Sequence, residues 1–288
     1  MIWLETIVNG TLIGGLYGLF GVGLALVFGV MRIVNISHGE FIALSAFLGL
    51  ALNGLMPGVH PLLLLLPVVV ISFGLGCGLQ ALFINRAMRL PDPLAPLLLT
   101  FGISVIARSL MVEAFGVDPR SIRPGGFAQD SVDLFGLAVG VLPLVTLALA
   151  IVLFLALQIL IRRTTFGRIV RATADNPEMV RLMGVRPARI YNLVMGLSFA
   201  LAGVAGVMLG MRSTFTPFSG VERLLISFEV VVLGGLGSFW GAMLGGIALG
   251  IVQLVGLRLD SNAGFLYGDL LFVACVLLRP NGLFGARM

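Results

Sequence analysis

Ionisable side chains lie inside long apolar stretches of this sequence and at their ends. Those with a possible part in transport are His38, Glu40, Arg108, Glu229 and Asp269. An unpaired charge at the centre of a bilayer costs at least ~3 kcal/mol, so each of these groups needs a partner or a functional role. One such role is proton-coupled transport, in which a carboxylate such as Glu229 would titrate during the cycle. The simpler alternative is structural pairing, for example of Arg108 with Glu113 or Asp269.

Covalent catalysis finds no support in the sequence. It contains neither a Gly-x-Ser-x-Gly elbow nor a His-Glu-x-x-His motif, and it has no lysine, which a Walker A loop needs to reach the phosphates. Cys77 and Cys275 lie within apolar runs and indicate neither a disulfide framework nor a metal site. We therefore expect no enzymatic activity, no cofactor and no ATP-binding motif in this chain.

The elements that position these residues must be membrane helices. The chain has 288 residues, of which 59% are hydrophobic and 11% charged, whereas charged residues average about 25% in soluble domains. Its arginines lie between apolar runs and at their ends, a pattern typical of positive-inside topology rather than of nucleic-acid binding. The fold class predicted is therefore all-α, a polytopic membrane bundle.

Span length and charge predict about nine transmembrane helices, with eight or ten as alternatives. The predicted crossings are residues 7–30, 41–56, 61–84, 94–115, 137–161, 190–211, 222–236, 238–257 and 264–279. Residues 118–133, with three acids, are expected outside, whereas the basic residues 162–189 are expected in the cytoplasm. The same rule places the amino terminus outside and Arg279 and Arg287 inside.

Segment lengths also predict an internal repeat within a single domain, residues 1–288. A first repeat, about 7–115, is followed by a linking helix, 137–161, a cytoplasmic loop, 162–189, and a second repeat of opposite orientation, about 190–279. Inverted halves are typical of transporters. Glycines four residues apart, as at Gly14 and Gly18 or Gly246 and Gly250, indicate close helix packing, and the cluster Gly234, Gly235 and Gly237 predicts a helix break.

The basic loop holds seven of the eighteen arginines and carries its own helix signals. Asn176 suits an N-cap, Pro177 the first helical position and Gly184 the C-terminal stop, which together predict a short helix at residues 177–183. Its residues Met179, Leu182 and Met183 would form one apolar face. One interpretation is an ordinary interfacial helix on a charged surface. The other is a docking element for a cytoplasmic partner.

Four stretches together resemble one protein family. Residues 30–47, which include NISHGE at 35–40, resemble the Asn-x-x-His-Gly-Glu signature of bacterial branched-chain amino acid ABC transporter permeases. Residues 171–184, 234–246 (GGLGSFWGAMLGG) and 279–285 (RPNGLFG) resemble that family's coupling loop, second glycine-rich segment and C-terminal ending. Ser45 and Trp240 depart from the family pattern, where glycine and proline are usual.

The resemblance implies a multi-pass permease subunit in the bacterial inner membrane, without an ATPase activity of its own. Its implied partners are a second permease, identical or homologous, two cytoplasmic ATP-binding subunits and a periplasmic solute-binding protein. Its cargo would be a branched-chain amino acid or another small polar solute, such as urea or a short amide. An ion-coupled secondary transporter is the alternative function.

Two sets of site residues follow from this resemblance and from polar side chains in the broken segments. The ATPase-coupling residues are expected to be Arg171, Ala172, Asp175, Pro177, Met179, Leu182, Met183 and Gly184. The candidate translocation path comprises Asn35, Ser37, His38, Glu40, Thr100, Ser104, Ser227 and Glu229. Within this path, His38 and Glu40 are expected at the cytoplasmic start of the second span, with a structural or gating role.

Overall fold

The apolar runs form helices because a chain inside a bilayer must satisfy its backbone hydrogen bonds internally. The computed structural model describes residues 2–123, 125, 130–134, 137–261, 263–279 and 281–283. Its first half contains α1 (Ile2–Met31), α2 (His38–Leu55), α3 (Leu65–Leu79), α4 (Asn85–Ala87) and α5 (Ala95–Phe115). Two short strands follow, β1 (Ser131–Leu134) and β2 (Leu137–Gly140). The remaining helices are α6 (Val141–Arg163), α7 (Thr165–Asp175), α8 (Pro177–Leu182), α9 (Pro187–Arg212), α10 (Ser219–Gly234), α11 (Phe239–Leu259) and α12 (Gly264–Leu278).

This architecture confirms the predicted helical membrane bundle. In the described ranges, seven helices have the length and hydropathy of a membrane span. Helices α10 and α12, with 16 and 15 residues, are shorter than the shortest of these seven spans, which has 18 residues; Pro61–Ala87, which includes α3 and α4, counts as one span. The predicted break at Gly234, Gly235 and Gly237 is confirmed, because α10 ends at Gly234 and α11 begins at Phe239.

Three boundaries differ from the prediction. The linking helix begins at Val141 and not at residue 137, because residues 137–140 pair as a strand with Ser131–Leu134. The two strands also qualify the all-α prediction outside the spans. The basic loop at 162–189 is shorter and more ordered than predicted, since α6 continues to Arg163, α7 occupies Thr165–Asp175 and α9 starts at Pro187. Arg287 and part of the 118–133 and 279–285 segments lie outside the described residues.

Helices α1 and α9 form the centre of the bundle and are mostly buried. The most extensive packing of α1 is against α11, and that of α9 is against α3. The first contact uses the predicted glycines: a β-carbon built on Gly246 would lie 2.7 Å from the carbonyl oxygen of Gly14. Removing side chains at these positions lets the two backbones meet, as in other small-residue helix contacts.

The chain turns back into the bundle between α1 and α2. Helix α1 ends at Met31, yet the Nε2 atom of His38, the first residue of α2, lies 2.9 Å from the carbonyl oxygen of Phe20. Phe20 is eleven residues before Met31, a distance of about 16 Å along the helix. Residues 32–37 therefore return alongside α1, and we call them the re-entrant segment. His38 therefore lies beside the middle of α1, with Glu40 two residues further along α2, which corrects the predicted position of both at the cytoplasmic end of the span.

The helix that follows α3 contains one wider turn. Residues Gln80–Ile84 form a π turn that joins α3 to α4. Directly after it, the Asn85 side-chain amide donates to Oδ1 of Asn192 in α9 at 2.7 Å, and Gln80 donates to Asn85 at 3.0 Å. The C-terminal end of this span is thus held to α9 by polar contacts.

The predicted topology can be tested directly. We expect a cysteine at Ser121, which is exposed, to react with a membrane-impermeant maleimide from outside intact cells. A cysteine at the exposed Thr165 should react only after the inner face is opened. Both would be introduced after replacing Cys77 and Cys275 with serine and alanine. The reverse labelling pattern would contradict the orientation of every span.

Candidate translocation site and coupling surface

The re-entrant segment is held in place by its own asparagine. The Asn35 side-chain oxygen accepts hydrogen bonds from the Ser37 backbone N–H at 3.1 Å and from the Ser37 hydroxyl at 2.6 Å. This local turn presents the following residues for the start of α2, as asparagine side chains commonly do. The Ile36 N–H donates to the Thr100 hydroxyl of α5 at 3.2 Å, so the segment is tied to a second span.

Glu40, in the first turn of α2, forms an ion pair with Arg108 of α5. The carboxylate is buried and the guanidinium partly exposed; the Arg108 Nε donates to Oε1 of Glu40 at 3.1 Å. The other carboxylate oxygen, Oε2, has no hydrogen-bond partner in the described part of the chain. The predicted partner of Arg108 was Glu113 or Asp269, and the structure corrects this, because the partner is Glu40. Both of these intramembrane charges therefore have a partner.

The first turns of α2 and α10 touch each other. A β-carbon on Gly39 would lie 2.1 Å from the carbonyl oxygen of Gly220, and one on Gly220 would lie 2.3 Å from the unpaired Oε2 of Glu40. Only glycine fits on both sides of this contact. The Glu40 carboxylate thus lies against the N-terminal end of α10, where the helix dipole favours negative charge.

The predicted path residues are only partly brought together. Those that meet around the re-entrant segment and the facing side of α5 are Asn35, Ser37, His38, Glu40, Thr100 and Ser104, all of them buried. Ser227 lies further along α10, where its hydroxyl donates to the Arg223 carbonyl at 2.6 Å. Glu229 lies next to Asp269 of α12. The six residues that meet form a packed polar cluster, which we call the signature cluster.

Sequence reasoning missed the partner of this cluster on α10. Its residues Ser219, Gly220 and Glu222 lie in or next to the first turn of α10 and are of the same types as Ser37, Gly39 and Glu40, at a slightly different spacing. That similarity was the available signal. Hydropathy matching, which ignores residue identity, does not detect it.

The basic loop folds into two helices, α7 and α8. Asn176 is the N-cap of α8, and its side chain accepts from the N–H groups of Glu178 and Met179 at 3.1 Å each. Helix α8 ends within one residue of the prediction, and Gly184 has a positive φ of 82°. The predicted helix, its cap and its glycine stop are therefore confirmed by the structure.

The predicted apolar face of α8 is exposed. Met179, Leu182 and Met183 have exposed fractions of 52%, 83% and 77%, whereas Val180 is buried and anchors the helix to the bundle. We call these three residues the α8 knob. Of the other predicted coupling residues, Ala172 and Asp175 are exposed, whereas Arg171 turns inward and donates to the Ile161 carbonyl at the end of α6.

Comparison with known proteins agrees with this geometry. A family model described as "Branched-chain amino acid transport system / permease component" matches residues 6–278. The BraD permease protein of Pseudomonas aeruginosa, from a high-affinity branched-chain amino acid transport system, is 29% identical and aligns over 98% of this chain and 96% of its own. LivH of Escherichia coli K12 is 28% identical, with the same coverage.

A solved structure shares the fold. The complex described as PsaBC from Streptococcus pneumoniae with Fab contains a chain that matches with a TM-score of 0.52 and 12% sequence identity. The match covers 96% of this chain and 92% of that one. The family match extends over nearly the whole bundle, including the signature cluster and the α8 knob. This chain is therefore a member of the branched-chain amino acid transport permease family.

Proposed function

We propose that this multi-pass inner-membrane permease moves branched-chain amino acids, or a related small polar solute, into the cytoplasm as part of an ABC importer. Two separate ATPase subunits would drive it, a periplasmic binding protein would deliver the solute, and a second permease, identical or homologous, would complete the channel. The names of BraD and LivH support the solute class.

The α8 knob carries the proposal of external ATPases. A six-residue helix is too short to be stable alone in water, yet its N-cap, glycine stop and buried Val180 fix it rigidly. Three large apolar side chains are thereby held in the exposed position. A rigid, exposed apolar projection suits insertion into a groove of a partner, where a few buried side chains supply most of the binding energy.

We expect Met179→Ser combined with Met183→Ser to leave the chain folded and inserted but to reduce transport sharply. Removal of buried contacts at an interface hot spot costs about 2 kcal/mol or more, whereas exposed positions usually change stability by less than ~0.5 kcal/mol. Gly184→Val should act similarly, because a β-branched residue is strained at this φ. Uptake and ATPase copurification would be measured in the same vesicles.

Met56→Ser provides the matched control, since Met56 is also exposed but lies at the other end of the bundle, after α2. It should leave uptake and ATPase copurification unchanged. Normal uptake and ATPase binding in the α8 variants would show that the knob is an ordinary interfacial surface and not a docking element.

We also propose that the two halves are inverted repeats that alternate access around the signature cluster. Packing supports this: α1 against α11 has its counterpart in α9 against α3, where a β-carbon on Gly76 would lie 2.6 Å from the Met195 carbonyl. The first turns of α2 and α10 meet at Gly39 and Gly220, as two related elements do near a symmetry axis. Because the cluster is buried, a solute could pass it only after these halves move.

We further expect the purified chain alone neither to bind nor to hydrolyse ATP. It has no lysine, and thus no P-loop that could cradle a nucleotide phosphate. Titration of the detergent-solubilised chain with labelled nucleotide would check this. Specific binding at micromolar concentration would argue against separate ATPase subunits.

Reconstitution distinguishes the importer from an ion-coupled carrier. We expect labelled leucine to enter vesicles only when the permease is assembled with copurified ATPases and supplied with ATP and a binding protein. The neighbouring carboxylates Glu229 and Asp269 are the feature an ion-coupled mechanism would use. Uptake by this chain alone under a proton gradient would support that alternative and overturn the importer.

A further inference from the structure

A cavity of about 430 Å³ lies between the end of α6, the inward face of α7 and the start of α11. Two arginines line it, Arg162 and Arg171, and in the part of the chain that the structure describes neither forms a salt bridge. Uncompensated positive charge in a cavity of ligand size favours an anion.

The backbone adds to this preference. Ser238, at the cavity wall, is the N-cap of the 21-residue helix α11, and its hydroxyl accepts from the Gly241 N–H at 3.1 Å. The N–H groups of Phe239 and Trp240 lie in the first turn, where no intrahelical acceptor is available. Phe239 and Trp240 line the same cavity as Arg162 and Arg171, so charge and helix dipole act on one site.

The other walls indicate which kind of anion fits. Ile161, Phe239 and Trp240 give the cavity an apolar side, and it lies where two spans, α6 and α11, reach the basic, cytoplasmic end of the bundle. Tryptophan is enriched at the level of lipid headgroups, and basic pockets between spans on this side bind anionic headgroups. The apolar walls would add no favourable contact with a small soluble anion, whereas they can contact the acyl chains of a lipid.

We propose that this cavity binds the headgroup of an anionic phospholipid of the cytoplasmic leaflet. Arg162, Arg171 and the start of α11 hold the phosphate, and the apolar walls meet the acyl chains. The lipid would join α6 to α11 at the membrane surface, at a place distinct from the α8 knob.

Native mass spectrometry of the delipidated full chain in detergent tests this, using phosphatidylglycerol and phosphatidylcholine with identical acyl chains. We expect the wild type to prefer phosphatidylglycerol and Arg162→Gln to weaken that preference about fivefold, since one arginine near the surface attracts anionic lipid by roughly that factor. Arg162→Lys should retain it. The control is Arg163→Gln, which removes the adjacent exposed arginine that does not line the cavity.

Several results would overturn the proposal: no preference in the wild type, equal losses in the Arg162 and Arg163 variants, displacement of the lipid by inorganic phosphate, or its release when the ATPases bind. The last two would assign the cavity to a free anion or to a protein interface.

Discussion

Replacing Arg108 with methionine is expected to destabilise the permease by about 3–5 kcal/mol, because it leaves the Glu40 carboxylate buried without a cation. Glu40 is 2% exposed and cannot reach solvent. Its second oxygen already lacks a hydrogen-bond partner in the described structure, so the remaining support is the N-terminal end of α10. The midpoint of thermal unfolding in detergent would measure the loss.

The double variant Glu40→Gln with Arg108→Met separates charge from shape. It removes both charges, so it should recover much of the stability lost in Arg108→Met alone. Glu222→Gln is the matched control: Glu222 pairs with Arg223 at 3.2 Å but is half exposed, and exposed pairs contribute about 0–1 kcal/mol. If Arg108→Met melts like this control, the Glu40 pair is not a structural necessity.

Gly39→Ala and Gly220→Ala are expected to abolish transport and to lower the yield of folded protein. The added methyl group would overlap the Gly220 carbonyl in the first variant and the Glu40 carboxylate in the second. A β-carbon on Gly220 would also lie 2.9 Å from the Cα atom of Glu40, so both variants meet backbone. Because backbone cannot move aside as a flexible side chain does, α2 and α10 must separate. Forcing extra volume into a packed contact typically costs about 1–3 kcal/mol, and more where backbone must shift.

Gly78→Ala is the control for these variants. Gly78 is also in a membrane helix, but among the described residues no atom of another segment lies within 4 Å of a β-carbon built there. Alanine is the better helix former by about 1 kcal/mol, so this variant should fold and transport as well as the wild type. Size-exclusion profiles and uptake would be compared for all three. Normal transport by Gly39→Ala would disprove a tight junction between the two helices.

Local signals in the sequence predicted local structure well. Asn176, Pro177 and Gly184 each impose a backbone preference on their own position, and α8 begins and ends where they indicate. Apolar runs likewise located the membrane helices, since a span is defined by length and composition alone. The family signature was also visible, because it consists of residue types at fixed spacing.

Contacts between distant segments could not be predicted in the same way. Nothing near Arg108 in the sequence identifies Glu40, 68 residues earlier, as its partner. Glu113, which is closer in sequence, and Asp269, which also lies in an apolar run, were equally reasonable partners. The re-entrant path of residues 32–37 was missed because hydropathy shows whether a segment is apolar. It does not show the depth in the membrane at which the next helix, α2, begins. Helix α7 was missed because its polar residues were interpreted as part of a loop, although Phe166, Ile169 and Val170 recur at the spacing of one helical face.

The π turn at Gln80–Ile84 sets the angular phase of the end of its span. A single additional residue in a helix advances every later side chain by about 100° around the axis. Asn85 can thus donate to Asn192, a contact that an uninterrupted α-helix would rotate away. Deleting one residue here would leave the span's hydropathy almost unchanged while turning its polar end toward lipid. In this permease, the register of a helix carries information that its composition does not.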